Sequence, residues 1–245
     1  MIILHGLFGT LDNWQTLAKK LAENYTVFII DQRNHGRSLH AQPFDYTTLA
    51  ADLREFMEEN WIYQSNLIGH SMGGKTVMQF AMDFPDMVDK LVVVDIAPVD
   101  YPERHNHIFD ALLNLFPENI DSRNEIDAIL EKQIPDYGER QFLMKNLSRN
   151  KEGRGYRFKM NLPIIYENYP HIIANINTEE APFEKPTLFI AGGDSRHILP
   201  EYEPLIKNLF TKAHIETIQG AGHWVHADKP AELLKLVTDF FETAE

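Results

Sequence analysis

The segment Gly69-His70-Ser71-Met72-Gly73-Gly74 constrains this chain more than any other. It follows a short apolar run, Asn66-Leu67-Ile68, and opens a helix-period stretch, Lys75-Thr76-Val77-Met78-Gln79-Phe80. A G-x-S-x-G sequence between a strand and a helix is the context of a nucleophile elbow. The turn is tight enough that a side chain at either flanking position would clash, so glycines occupy them. It lifts the Ser71 hydroxyl clear of the backbone. It also sets the Met72 amide at a helix N-terminus, where the dipole favours developing negative charge. Ser71 is the candidate nucleophile, and Met72 a candidate oxyanion donor.

Two other loops offer the partners such a serine needs. His5-Gly6-Leu7-Phe8-Gly9 directly follows the candidate strand Ile2–Leu4. Its position suits a second oxyanion amide, expected from Leu7, with Phe8 as the neighbouring alternative. Gly220-Ala221-Gly222-His223-Trp224 follows the last candidate strand. Serine at its free pKa is a poor nucleophile, and His223 on this glycine-permitted loop can swing in as its base. Of the 11 histidines, His226 is the nearest rival, one turn on and without the Gly-x-Gly approach. For the acid, Asp95 ends the candidate strand Lys90–Asp95 and Asp194 follows the strand Thr187–Ala191. Both sit at carboxyl ends of strands, where parallel sheets build their sites, and either can orient the His223 Nδ1–H.

The remaining candidate strands are Thr26–Asp31, Asn66–Gly69 and His214–Gln219. They alternate with candidate helices Trp14–Glu23, Thr47–Asn60, Gly73–Phe84, Glu201–Phe210 and Pro230–Glu242, the last with Asp228 as its expected N-cap. Alternation of this kind reads as βαβ units on a parallel sheet covered by helices on both faces. Between about Tyr101 and Pro182 the pattern becomes helical, with His107–Phe116, Glu125–Gln133 and Glu139–Leu147. A helical cap over the strand ends is expected there. The division is then a core of residues 1–100 and 183–245 with a cap of residues 101–182. Phe109, Leu112 and Phe158 are the cap residues expected to shape the pocket over Ser71.

Charge and composition narrow the function. Lys and Arg number 23 against 36 Asp and Glu, a formal charge of −13, which repels nucleic-acid backbones and anionic lipid surfaces. With no cysteine, disulfides, thiolate catalysis and cysteine-ligated metals are excluded. No His/Asp/Glu spacing suggests a metal site, and no cofactor is expected. No apolar run is long enough to span a bilayer, and Met1–Leu4 lacks the basic leader and cleavage site of a signal peptide. The expectation is a cytoplasmic protein, monomer or homodimer, whose partner is a small molecule. Asp31–Ser38 has the wrong glycine spacing for a phosphate loop and is read as a structural turn beside the elbow. Lys151, Arg154, Arg157 and Lys159, interleaved with Tyr156 and Phe158, form a basic stretch. A solvated loop is the plain reading; a subsite for the phosphates of a coenzyme A thioester is the sharper one.

At these motifs the chain resembles the α/β-hydrolase superfamily along essentially its whole length. Asp95-Ile96-Ala97-Pro98-Val99 and the stretch from Arg157-Phe158 to Leu162-Pro163 are similar to the branch of YbfF-type esterases. The resemblance implies an α/β-hydrolase fold with a mostly parallel sheet. It also implies a serine esterase acting on small carboxylic esters or acyl thioesters. In that branch the loop after the penultimate strand reads Gly-Gly-x-Ser, as Gly192-Gly193-Asp194-Ser195 does here, and the acid ends the preceding strand. The resemblance therefore favours Asp95 over Asp194, with the catalytic set Ser71, Asp95 and His223 and the oxyanion pair Leu7 and Met72. Relatives carry a β-hairpin before the His-Gly strand, whereas this chain starts within that strand, so Thr26–Asp31 is expected at an exposed sheet edge. Carbon–carbon bond hydrolysis or cofactor-free perhydrolysis with the same triad, and a non-catalytic binding protein, are the competing functions.

Overall fold

Strands of three to seven residues, each followed by a helix, assemble into one parallel sheet. The computed structural model describes residues 1–151, 153–178 and 182–243. In chain order the sheet strands are β1 (Ile2–Leu4), β2 (Phe28–Ile30), β3 (Ser65–His70) and β4 (Val88–Val94). A two-stranded antiparallel hairpin, β5 (Leu147–Arg149) and β6 (Tyr156–Phe158), stands apart from it. The sheet then resumes with β7 (Thr187–Gly192) and β8 (Ala213–Ile218). The spatial order is β2-β1-β3-β4-β7-β8.

The alternation of side chains along these strands builds a core on each face. Leu4, Leu67, Leu91 and Val93 face one layer, with α2 (Tyr46–Glu59) and α3 (Met72–Asp83) supplying Leu53, Val77 and Phe80. Ile3, Ile68, Val92 and Val94 face the other, against α1 (Gln15–Leu21) and the C-terminal helix. Each such side chain contributes roughly 2 kcal/mol on leaving water, so both layers are needed to hold a sheet this apolar. Strand β2 lies at the sheet edge, as expected, and spans Phe28–Ile30, which pair with Ile2, Ile3 and Leu4 of β1.

The segment between β4 and β7 holds α4 (Asn106–Leu113), α5 (Arg123–Leu130), α6 (Tyr137–Met144), α7 (Leu162–Glu167) and α8 (Tyr169–Ile173), besides the hairpin. Residues 152 and 179–181 of this stretch lie outside the described residues. The hairpin departs from the all-helical expectation. Helix α6 stops before Leu147 because buried Asn146 turns away to serve two backbones: its Nδ2 donates to the Phe8 carbonyl, and its own carbonyl accepts the Lys159 N–H at 2.7 Å. The hairpin is thereby moored to the loop after β1.

A second mooring is Lys75, which is 1% exposed. Its Nζ donates to the carbonyls of Val99 (2.8 Å), Ile173 (3.3 Å) and Ala174, and lies 4.9 Å from the centre of the Tyr101 ring. Burial lowers its pKa to about 7, against the influence of Asp100. One lysine on the helix after Ser71 thus ties the core to both ends of the inserted segment.

Beyond β7 come α9 (Glu203–Leu209), a short α10 (Val225–Asp228) and α11 (Pro230–Glu242). Asp228 does not cap α11; Lys229 holds that position without a side-chain bond. Asp228 ends α10 instead and its Oδ2 accepts the Gly222 N–H at 2.8 Å, which braces the loop before His223. Among the described residues no helix is long and apolar enough to cross a membrane.

Candidate active site

The parallel strands end together, and the loops leaving β1, β3, β4, β7 and β8 converge there. At the end of β3 the chain makes a tight turn. A Cβ on Gly69 would lie 2.2 Å from the Gly73 carbonyl oxygen, so only glycine allows α3 to start so close to its strand. Ser71 pays for that geometry with φ 53° and ψ −119°, a strained conformation for a residue with a Cβ.

From β8, His223 approaches this serine. Its Nε2 lies 2.9 Å from Ser71 Oγ, and its Nδ1 lies 2.7 Å from Asp95 Oδ2. With Asp95 ionised, Nδ1 carries the ring proton and Nε2 is free to accept the serine proton. His226, the sequence rival, points away: it is buried and stacks on Trp14 with ring centres 4.8 Å apart. His70 steadies the histidine loop, its Nε2 meeting the His223 carbonyl at 2.8 Å.

Asp95 is fully buried and sits at φ 52° just past β4. Its Oδ1 accepts the Gly192 N–H at 2.9 Å, and its Oδ2 accepts from Ser195 Oγ at 2.5 Å as well as from His223. Burial alone would raise its pKa, but hydrogen bonds from His197, His223 and Ser195 outweigh that and hold the carboxyl well below the ordinary range. Asp194 takes no part. Its side chain is exposed and makes no hydrogen bond among the described residues, while its backbone N–H donates to the Ala221 carbonyl at 2.9 Å.

His197 is a site residue that the sequence reading missed. Its ring stacks on His223 at 3.8 Å and its Nδ1 lies 3.0 Å from Ser195 Oγ. The signal available was its place two residues after Ser195, on the loop that faces Asp95. Asp95, His197 and His223 bring possible ligand atoms within 4.8 Å of one another, but those groups are already bonded among themselves and to Ser71 and Ser195. That engagement suits proton handling rather than a cation.

The loop after β1 lies flat against the serine. A Cβ on Gly6 would sit 3.0 Å from the Ser71 Cβ and 2.9 Å from His70 Nδ1. Leu7 and Met72 line one cavity with Ser71, of about 40 Å³. The Leu7 N–H makes no backbone bond among the described residues, and the Met72 N–H opens α3, where it has no intrahelical acceptor. His5 anchors the loop: its Nε2 accepts the Gln32 N–H at 3.0 Å while Gln32 Nε2 donates to the His5 carbonyl at 2.6 Å. Thr76 on α3 donates to Gln32 Oε1 at 2.8 Å, so the Asp31–Ser38 turn does brace the elbow.

The cavity's other walls differ from expectation. Tyr101, His105, Tyr169, Ile172 and Ile173 line it, together with Tyr46 and Ile96. Phe109 and Leu112 are buried one layer further out, with Phe109 edge-on to Phe8 at 5.1 Å, and Phe158 lines a separate cavity near Asp31. In the basic stretch, exposed Arg154 pairs with Asp121 at 2.5 Å and Lys159 with Asp12 at 3.3 Å. Lys151, Arg157 and Lys159 line that separate cavity with Arg37 and His40.

Burial lowers the His223 pKa to about 4, the hydrogen bond to Asp95 opposing the shift. The neutral ring is the form that can accept a proton, so kcat/KM for an ester should rise with pH through that value. Half-maximal activity is expected near pH 4, and a level profile from about pH 6 to 8, in a stopped assay at fixed ionic strength. A limb centred near 6.5 would mean a ring as solvated as free imidazole.

The chain's relatives agree in kind. Residues 1–125 match the family model described as alpha/beta hydrolase fold. The protein named Esterase YbfF of Escherichia coli is 36% identical over 239 residues, covering 97% of this chain and 91% of its own. The mouse protein named sn-1-specific diacylglycerol lipase ABHD11 is 37% identical over 248 residues, covering 98% and 80%. Among solved structures, one titled marine microorganism esterase superposes with a TM-score of 0.95 at 42% identity, covering 98% of this chain and 94% of that one.

Proposed function

This chain belongs to the α/β-hydrolase family, and from that premise we propose that it is a serine esterase in which Ser71, His223 and Asp95 form the catalytic triad. One observation carries the reading: an unbroken chain of hydrogen bonds from Ser71 Oγ through the His223 ring to a buried, ionised Asp95, at 2.9 and 2.7 Å. Ser71 Oγ attacks the ester carbonyl carbon while His223 Nε2 takes its proton. The carbonyl oxygen becomes an oxyanion between the Leu7 and Met72 amides, each worth roughly 3 kcal/mol in the transition state. Collapse expels the alcohol, which leaves with the proton held by His223. Water then adds to the acyl group on Ser71, giving its proton to His223, and the acid departs as Ser71 regains its hydrogen. Asp95 stays ionised throughout, holding the ring and stabilising the imidazolium.

The segment of residues 101–182 serves in this reading as a cap, since its residues complete the cavity that the nucleophile faces. Arg37, Lys151 and Arg157, which share the separate cavity with Asp12 and Asp31, support acyl thioesters with anionic thiol portions as a second substrate class.

A fluorophosphonate probe tests the reading directly. The protein should turn over p-nitrophenyl acetate, lose that activity on labelling, and carry one adduct, on the peptide containing Ser71. Turnover that survives full labelling, or an adduct elsewhere, would refute it.

A further inference from the structure

Beside Ser71 stands a hydrogen-bond donor that the mechanism above does not use. His105 lies just before α4 and lines the same small cavity. Its Nδ1 is 2.8 Å from the Tyr169 hydroxyl. That hydroxyl oxygen already accepts the backbone N–H groups of Arg104, at 3.2 Å, and of His105 itself, at 3.3 Å. An oxygen with both lone pairs occupied can only donate to a third partner, so Tyr169 gives its proton to Nδ1. The ring is thereby locked in one tautomer, with its own proton on Nε2.

Burial lowers the ring's pKa to about 4, so it is neutral near pH 7. Its Nε2–H has no acceptor among the described residues; Phe8, edge-on at 5.8 Å between ring centres, offers no conventional one. A donor held in one orientation at the cavity wall, with no protein acceptor and open to water, is a place where a ligand oxygen can replace that water. The cavity itself sets the size of what arrives. At about 40 Å³ it has room for about three water-sized groups in all. Tyr46 and Ile172 form part of its wall, and the Tyr46 hydroxyl donates to the Ile172 carbonyl at 2.5 Å, which ties that wall across core and inserted segment.

We propose that His105 binds substrate, its Nε2–H donating to an oxygen of the acyl group, and that the acyl groups preferred are short chains carrying such an oxygen. The proposal rests on the esterase reading and adds a specificity residue to it. The acyl side is favoured because the acyl group stays on Ser71 through both half-reactions, whereas the alcohol leaves after the first.

Methoxyacetyl and butyryl esters of p-nitrophenol have the same number of heavy atoms and differ only by oxygen in place of a methylene. Dividing their kcat/KM ratio by the ratio of their hydroxide-catalysed rates removes intrinsic reactivity. The native protein should then favour methoxyacetyl by about tenfold. His105→Phe, which keeps a ring of similar size, should bring that ratio close to one. Tyr169→Phe, which removes only the hydroxyl that fixes the tautomer, should lower it partway and serves if the first variant does not fold. Hexanoyl ester turnover should fall at least tenfold below butyryl. A corrected ratio near one in the native protein, a ratio unchanged in His105→Phe, or hexanoyl turnover equal to butyryl would overturn the proposal. So would a His105-dependent preference that appears only between 2-methoxyethyl and butyl acetates, since it would move the contact to the alcohol. Failure of the esterase reading looks different: no turnover of any ester and no probe adduct at Ser71.

Discussion

Replacing Ser71 with alanine should lower kcat for p-nitrophenyl acetate by roughly 10⁴- to 10⁶-fold, the loss expected when the nucleophile of a triad is removed. What remains would come from the oxyanion amides and from binding alone. The fold should survive intact. Alanine keeps the Cβ and so keeps the backbone cost of φ 53°, while the lost hydroxyl makes one hydrogen bond, to His223. Thermal unfolding within a few degrees of the native protein, together with loss of turnover, is the expected pair of results. Appreciable activity in a well-folded Ser71→Ala protein would remove Ser71 from its role.

The second large effect separates two aspartates. Asp95→Asn should lower kcat about 10⁴-fold, because an amide NH2 turned towards His223 Nδ1 favours the wrong histidine tautomer. Asp194→Asn should stay within about threefold of native activity, since its exposed side chain makes no contact with His223. The comparison is best made as kcat at saturating ester for both variants side by side. A larger loss in Asp194→Asn would transfer the acid role to that residue. The surroundings of Asp95 explain why a change there should be costly: the carboxylate meets Gly192, Ser195 and His223 at once, and an amide cannot accept from all three.

Much of this arrangement is legible before any folding is considered. Glycine is forced at position 69 by the close start of α3, so Gly69-His70-Ser71-Met72-Gly73 announces both the turn and the exposed hydroxyl. The apolar strands announce a sheet covered on both faces, because residues such as Leu67 and Ile68 point in opposite directions and each needs its own buried layer. Less was visible where a residue's partner lies far along the chain. Asp228 has the look of a helix cap by position, yet it bonds to Gly222, because the chain after His223 folds into a separate short helix first. Asn146 ends α6 for a contact with Phe8, 138 residues away, and no local propensity reports it.

The sequence by itself determined the setting of Ser71, the loops that meet it and the parallel sheet beneath, because each is encoded in adjacent residues: glycines at tight turns and apolar periodicity along strands. The tertiary structure alone decided which aspartate touches His223, that Ser195 and His197 join it there, and that His105 rather than Phe109 walls the cavity. Those outcomes depend on distances between loops that leave different strands. A sum of packing and hydrogen bonds over the whole molecule sets such distances, and no short stretch of residues contains that sum.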